Sequence, residues 1–249
     1  MDVISDLHLQ AHDPATAAAW RSYLGRGGFD ALIILGDLFE VWVGDDVLDQ
    51  ASDAPEHRFW HACAAALRAA SRHAPVYVMR GNRDFLLGAG FAQHAQVTLL
   101  DDPCVLAFGP QRWLLTHGDA WCLADTEYQA FRQTVRSPEW QATFLQRPLP
   151  EREAIARQLR DASQARQSMQ QAAHLPWADV DDATALHWLQ ATGAQHLIHG
   201  HTHRPAAHDL GQGHWRLVLS DWDASAQPPR AQRLSLDAGG GWHRHAEVA

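Results

Sequence analysis

Five short clusters of Asp, His and Asn stand far apart in the chain. "SDLHL" carries Asp6 and His8, "LGDLFE" carries Asp37, and "RGNRDF" carries Asn82, Arg83 and Asp84. "THGD" adds His117 and "GHTH" adds His201 and His203. Oxygen and imidazole donors without any thiolate suit two ions of the Mn²⁺, Fe²⁺ or catalytic Zn²⁺ type better than a structural zinc site. Asp6 and His8 are two residues apart, as are His201 and His203, so in an extended segment each pair projects to one side. Gly36, Gly81 and Gly200 precede Asp37, Asn82 and His201, and allow sharp turns and close backbone approach. Taken singly, each cluster is weak: "DLH" is commonly a strand end or cap, and "GD" and "GN" are common turns. With 17 histidines in the chain, a lone His carries little weight. The ordered series is what points to a metal centre. His199, in the same "LIHGHTHRP" run, is either a hydrogen-bond partner of a ligand or a packing residue.

The elements that must position these clusters are short apolar runs. Val3 and Ile4, 31–36, 76–79, 112–116 and 196–200 read as buried strands, with 215–220 and 230–236 as two more. Helical patterns cover about 14–24, 56–73 and 181–192, the last capped by Asp181 or a neighbour. Strands alternating with helices imply βαβ units, followed by a strand-rich C-terminal part. Every polar cluster falls where an expected strand ends, the place where open α/β sheets assemble their sites. From about 125 to 174 no strand is expected; Pro138, Pro148 and Pro150 divide this stretch into about three helices, an insertion or lid on a single α/β body of 1–249. Gly239–Gly241 reads as a turn and a loose end.

The chain has 249 residues, enough to bury a large core, and a net charge of -9. That balance argues against a general nucleic-acid grip but not against anionic substrates, since bound cations reverse the local sign. All basic residues are Arg; there is no Lys. Cys63, Cys104 and Cys122 lack metal-type spacing and read as core or near-surface thiols. No apolar run approaches the roughly 20 residues that span a bilayer, and no secretory pattern opens the chain, so a cytoplasmic location is expected.

The ordered series D-x-H … G-D … G-N … H … G-H-x-H resembles the calcineurin-like metallophosphoesterases over nearly the whole chain. The resemblance implies a four-layer αββα sandwich of two mixed sheets with a dinuclear site between them. It implies that Asp6, His8 and His203 bind one metal, that Asn82, His117 and His201 bind the other, and that Asp37 bridges them. Two ions roughly 3.5–4 Å apart then activate a hydroxide and clamp a phosphoryl oxygen. The same resemblance implies Asp37, Asn82, Arg83 and His201 as the catalytic set. Many members carry "GNH" where this chain has Asn82-Arg83. Arg cannot donate a proton but grips phosphate oxygens, which fits a good leaving group such as that of a diphosphate.

Within that family, "SDLHL", "ILGDLFEVWVGDD", "GNRDFLLG", "HGDAWCLADTEYQAFR", "LIHGHTHRP" and "RLVLSDWD" are similar to the diphosphatases that cleave UDP-2,3-diacylglucosamine in lipid A biosynthesis. This implies hydrolysis at the UMP-side phosphorus, UMP and 2,3-diacylglucosamine 1-phosphate as products, and two Mn²⁺ per chain. Asn82, Arg83, Asp125, Tyr128, Arg160, Ser163, Gln167, Gln170 and His201 are the implied substrate contacts. Gln167 and Gln170 stand where the family usually has Asn and Lys. A two-chain acyl sugar needs an apolar groove, for which Leu123, Tyr128, Phe131, Trp140, Phe144 and Leu145 are candidates; Arg132, Arg157, Arg160 and Arg166 are candidates for phosphate or headgroup contact. The expected setting is the cytoplasmic face of the inner membrane, with peripheral contact through the insertion and no obligate protein partner. The alternatives are a phosphoesterase acting on a soluble nucleotide or phosphodiester and, more remotely, a non-catalytic scaffold.

Overall fold

A computed structural model describes residues 1–50, 52–172 and 178–248, with the side chains of 164–168 and 170–172 left undescribed. Its elements run β1 (Asp2–Ile4), α1 (Pro14–Arg26), β2 (Leu32–Leu35), α2 (Pro55–Ser71), β3 (Val76–Met79), α3 (Ala89–Ala95), β4 (Thr98–Leu100), β5 (Cys104–Phe108) and β6 (Gln111–Leu115). After these come α4 (Thr126–Val135), α5 (Pro138–Leu145), α6 (Leu149–Ala172), α7 (Asp182–Thr192), β7 (His196–His199), β8 (Ala206–Gly211), β9 (His214–Val218), β10 (Gln232–Leu236) and β11 (Trp242–Ala246). They form two mixed sheets, ordered β11-β10-β1-β2-β3-β4 and β5-β6-β7-β9-β8. The central pairs β1–β2, β2–β3, β6–β7 and β7–β9 are parallel.

The period-two alternation of the strands explains how the layers stack. Val3, Ile33, Leu35 and Met79 from one sheet meet Trp113, Leu115, Ile198 and Leu217 from the other in a core between the sheets. Their neighbours Ile4, Leu32, Ile34 and Val78 face the opposite way, onto Trp20, Cys63 and Leu67 of α1 and α2. On the far side Leu114 and Leu197 pack against Ala185 and Leu189 of α7. Three stacked cores make four layers, αββα. Strands buried on both faces must be apolar at every position, which is why "LIIL" in β2 is buried throughout.

Several elements differ from the sequence expectation. β4, β5, β8 and β11 are additional strands, and α3 is an additional helix. Each of the four strands lies at a sheet edge. In β8 half-buried and exposed residues alternate, giving the polar sequence "AAHDLG". The glycines at 239–241 do not open a loose end; Gly240 N donates to Asp237 O at 3.1 Å, closing a tight turn into β11.

Between β6 and β7, α4, α5 and α6 are joined by short turns in which Pro138 opens α5 and Pro148 precedes α6. α6 is tied down by buried Arg152, which donates to Val43 O at 2.6 Å and pairs with Asp46. His57 of α2 and Glu153 add a contact at 2.6 Å. No helix among the described residues is long and apolar enough to cross a membrane.

Candidate metal centre and substrate cleft

The five loops at the carboxyl ends of β1, β2, β3, β6 and β7 converge. Seven non-glycine residues among the described ones have positive φ, and five of these are Asp6, His8, Asp37, His201 and His203. Left-handed backbone costs of order 1–3 kcal/mol per residue and persists where surrounding structure enforces it. This corrects the premise that Asp6 and His8 lie in an extended segment. The backbone turns at 54° and 46° around buried Leu7, and the two side chains meet on one side through that turn. Two glycines make the approach possible: a Cβ on Gly81 would sit 2.0 Å from Asp37 Oδ1, and one on Gly200 2.2 Å from Asp6 Oδ2.

Two donor groups result. His8 Nε2 lies 3.2 Å from His203 Nε2, which is 3.3 Å from Asp6 Oδ1. Asn82 Oδ1 lies 2.9 Å from His117 Nε2 and 2.8 Å from His201 Nδ1. Asp37 Oδ2 stands between the groups, 3.8 Å from His8 Nε2 and 3.7 Å from His117 Nε2. Asp6, His8 and His203 make one cluster able to hold an ion, and Asp6, Asp37 and His117 make a second.

Tautomers test whether cations fit. His117 Nδ1 donates to the Leu35 carbonyl at 2.9 Å, so in a neutral ring Nε2 is a bare lone pair aimed at Asn82 Oδ1. His8 Nδ1 faces the Glu40 carboxylate at 2.9 Å, which turns its Nε2 lone pair toward His203 and Asp37. Lone pairs converging on lone pairs repel unless a proton or a cation lies among them. Burial lowers the His117 pKa, but the carboxylates of Asp37, Asp6 and Asp119 outweigh it and lift it to about 9. Burial, reinforced by the neighbouring His117, lowers His201 to about 4. The donor set therefore fits divalent cations, which satisfy all these lone pairs without protons.

Three further carboxylates, of which only Asp84 stands among the sequence clusters, hold this arrangement. Asp84 is buried and accepts from Leu38 N at 2.8 Å, Phe39 N at 3.3 Å and Gly81 N at 2.7 Å, locking the β2 and β3 loops together. Burial, with the charge of Asp37 nearby, raises its pKa to about 6. Asp119, also buried, accepts from Tyr128 Oη at 2.5 Å and Arg132 Nε at 2.8 Å, drawing α4 onto the site. Glu40 backs His8. The adjacency of Glu40 and Asp84 to the motifs was a signal, but their partners lie tens of residues away. His199 sits outside both donor groups, buried with Nδ1 2.8 Å from Gly200 O and Nε2 3.4 Å from the Arg216 guanidinium.

A cavity of about 930 Å³ opens over the donors, and Asn82, Arg83, Asp125, Tyr128, Ser163 and His201 all line it. The Tyr128 ring stacks on His201 at 5.9 Å between centroids. Arg160 does not line this cavity. With Arg157 it lines a neighbouring pocket of about 300 Å³ walled by Leu9, Val41, Val43 and Trp60. The Gln167, Gln170 and Arg166 side chains lie outside the described residues. The expected apolar face of the insertion divides: Leu123, Phe131 and Leu145 are exposed, whereas Phe144 is buried with Trp140 stacked on it at 4.8 Å. Arg132 is not free for headgroups, since its guanidinium is held by Asp119.

Residues 2–205 match the family model of the calcineurin-like phosphoesterases. A UDP-2,3-diacylglucosamine hydrolase of Chromobacterium violaceum is 46% identical over 244 residues, 95% of this chain and 94% of that protein. One from Bordetella pertussis is 43% identical, covering 95% of this chain and 91% of that protein. One from Stenotrophomonas maltophilia is 44% identical, covering 95% and 94%. The fold, the sequence match and these relatives agree: the chain belongs to the calcineurin-like phosphoesterases and, within them, to the family of the UDP-2,3-diacylglucosamine hydrolases.

Proposed function

We propose that this chain hydrolyses the diphosphate of UDP-2,3-diacylglucosamine to UMP and 2,3-diacylglucosamine 1-phosphate, using two divalent cations, Mn²⁺ by preference. The observation that carries the two-ion reading is Asp37 Oδ2, which lies between two separate groups of inward-facing donors. Asp6, His8 and His203 would hold one ion, Asn82, His117 and His201 the other, with Asp37 shared. Bound there, the cations lower the pKa of a water and offset the charge of the phosphoryl oxygens.

The chain's own residues supply the rest. Asn82 and His201 reach the cleft from one donor group, beside the reacting phosphate. Arg83 offers a permanent charge to a non-bridging oxygen. Water forms the new P–O bond at the UMP phosphorus as the bond to the bridging oxygen breaks, and the pair leaves with the lipid phosphate. A phosphate monoester is a stable anion, so an Arg where many relatives of the wider superfamily have His is no handicap. Asp125, Tyr128 and Ser163 line the space above, toward the nucleotide and sugar, and Arg160 stands at the next pocket. The exposed Leu123, Phe131 and Leu145 form the apolar edge for acyl chains and for peripheral contact with the cytoplasmic face of the inner membrane.

Hydrolysis in ¹⁸O-labelled water tests the point of attack. The label is expected in UMP, raising its mass by one ¹⁸O, with none in the lipid phosphate. Label in the 2,3-diacylglucosamine 1-phosphate would overturn the assignment.

A further inference from the structure

Glu40 takes no part in either donor group, yet it is only 9% exposed and both its carboxylate oxygens are directed at site residues. Oε2 lies 2.9 Å from His8 Nδ1, and Oε1 lies 3.8 Å from an Arg83 guanidinium nitrogen. The backbone N–H of Arg83 donates to Asp37 Oδ1 at 2.8 Å. The other oxygen, Asp37 Oδ2, faces His8 Nε2 at 3.8 Å. The contacts close a ring: His8, Glu40, Arg83, Asp37 and back to His8. Both nitrogens of one imidazole belong to it.

The backbone makes this ring stiff. Leu9 and Phe39 form an isolated parallel bridge, and Glu40 N donates to Leu9 O at 3.2 Å, so the loops after β1 and β2 are zipped together beside the site. The 2.9 Å contact to His8 Nδ1 has a carboxylate oxygen as its acceptor, which places the His8 proton on Nδ1 and leaves Nε2 for the centre.

We propose that Glu40 is the positioning residue of the centre: it fixes His8 as an Nε2 ligand and, through its second oxygen, sets the Arg83 side chain at the reacting phosphate. A carboxylate behind a ligating imidazole raises its basicity and locks its rotation, and removing such a partner typically lowers metal affinity about 10–100-fold. The second oxygen matters because an Arg side chain is long and rotamer-rich; an anchoring carboxylate reduces the freedom lost when it closes on phosphate. The proposal rests on the reading that His8 is a metal ligand.

Mn²⁺ binding to the chelator-treated full chain, followed by electron paramagnetic resonance, tests this without substrate. Glu40→Ala is expected to weaken Mn²⁺ binding by about 10–100-fold. Glu40→Gln is expected to recover part of that loss, because an amide oxygen accepts the same His8 N–H and fixes the ring without the charge that raises its basicity. Near-UV circular dichroism checks that each variant is folded. If folded Glu40→Ala binds Mn²⁺ as the parent does, or if Glu40→Gln is as weak as Glu40→Ala, the positioning role is overturned. Turnover then tests the Arg83 arm. Glu40→Gln with Mn²⁺ saturating is expected to lower turnover in the parent but to have little further effect in an Arg83→Ala background. Additive losses would overturn that part. His8→Ala separates the proposal from its basis: if it binds Mn²⁺ like the parent, the ligand assignment fails, whatever Glu40 does.

Discussion

Asp37→Ala is expected to abolish metal-dependent release of UMP, with kcat/KM falling roughly a thousand-fold or more, the equivalent of about 4 kcal/mol of transition-state stabilisation. The size of the effect follows from position. Asp37 Oδ2 is within 3.8 Å of His8 Nε2 and 3.7 Å of His117 Nε2, so one substitution removes a donor from both groups at once. Its other oxygen accepts the Arg83 N–H, which leaves that backbone amide unpaired as well. Asp37→Asn keeps the shape and the acceptor but not the charge, and should lose nearly as much activity. Thermal melts of the metal-free proteins check that the fold survives. An Asp37→Ala protein with near-parental turnover would remove the shared-ligand reading.

Asp119→Ala is expected to loosen the helical layer over the site and destabilise the chain by about 2–4 kcal/mol, the cost of stranding charged partners of a buried carboxylate, discounted because those partners are partly exposed. Asp119 is fully buried and accepts from Tyr128 Oη and Arg132 Nε, while Arg136 lies 3.8 Å away. Without it α4 keeps the hydrogen bonds of Gln129 to Asp119 O and Cys122 O and of Arg136 to Gly81 O, but Tyr128 loses the contact that keeps its ring against His201. Calorimetry should show a midpoint lower by roughly 5–12 °C, and limited proteolysis should cut first within 126–172. KM for the acylated substrate should rise more than kcat falls. An unchanged midpoint would mean that α4 is held by its apolar contacts and by the Gln129 and Arg136 hydrogen bonds, not by the Asp119 carboxylate.

The chemistry-bearing residues were legible because each sits within a motif of two or three letters at a strand end, and chain order alone separates that series from scattered His and Asp. The layering was legible too, in runs such as "LIIL" and "HLIH" that are buried on both faces. The edge strands were not. β8 and β11 expose one side and carry Asp209, His243 and His245 there, so no apolar run announces them. Backbone conformation was also hidden. Asp6, His8, Asp37, His201 and His203 take left-handed φ, which Asp and His tolerate better than most residues but which only the packed loops enforce. The supporting roles of Asp84, Asp119 and Glu40 are hidden in the sequence for a third reason. Asp84 and Glu40 matter through partners distant in the chain, Leu38 and His8, and pairings of that range exist only once the sheets have formed. Asp119 acts through Tyr128 and Arg132 of the following helix, which reach it once α4 folds over the site.

The cleft is expected to select a diacylated UDP-sugar and to split its diphosphate. The most direct test compares UDP-2,3-diacylglucosamine, UDP-N-acetylglucosamine and bis-p-nitrophenyl phosphate side by side with the same Mn²⁺-loaded chain, with UMP quantified for the two nucleotides. The acylated substrate is predicted to exceed both others in kcat/KM by on the order of 100-fold or more, because its two chains bury apolar surface that the others lack. Activity should vanish on chelation and return with Mn²⁺. Equal turnover of all three, or faster turnover of the soluble diester, would rule out selection of the acylated UDP-sugar.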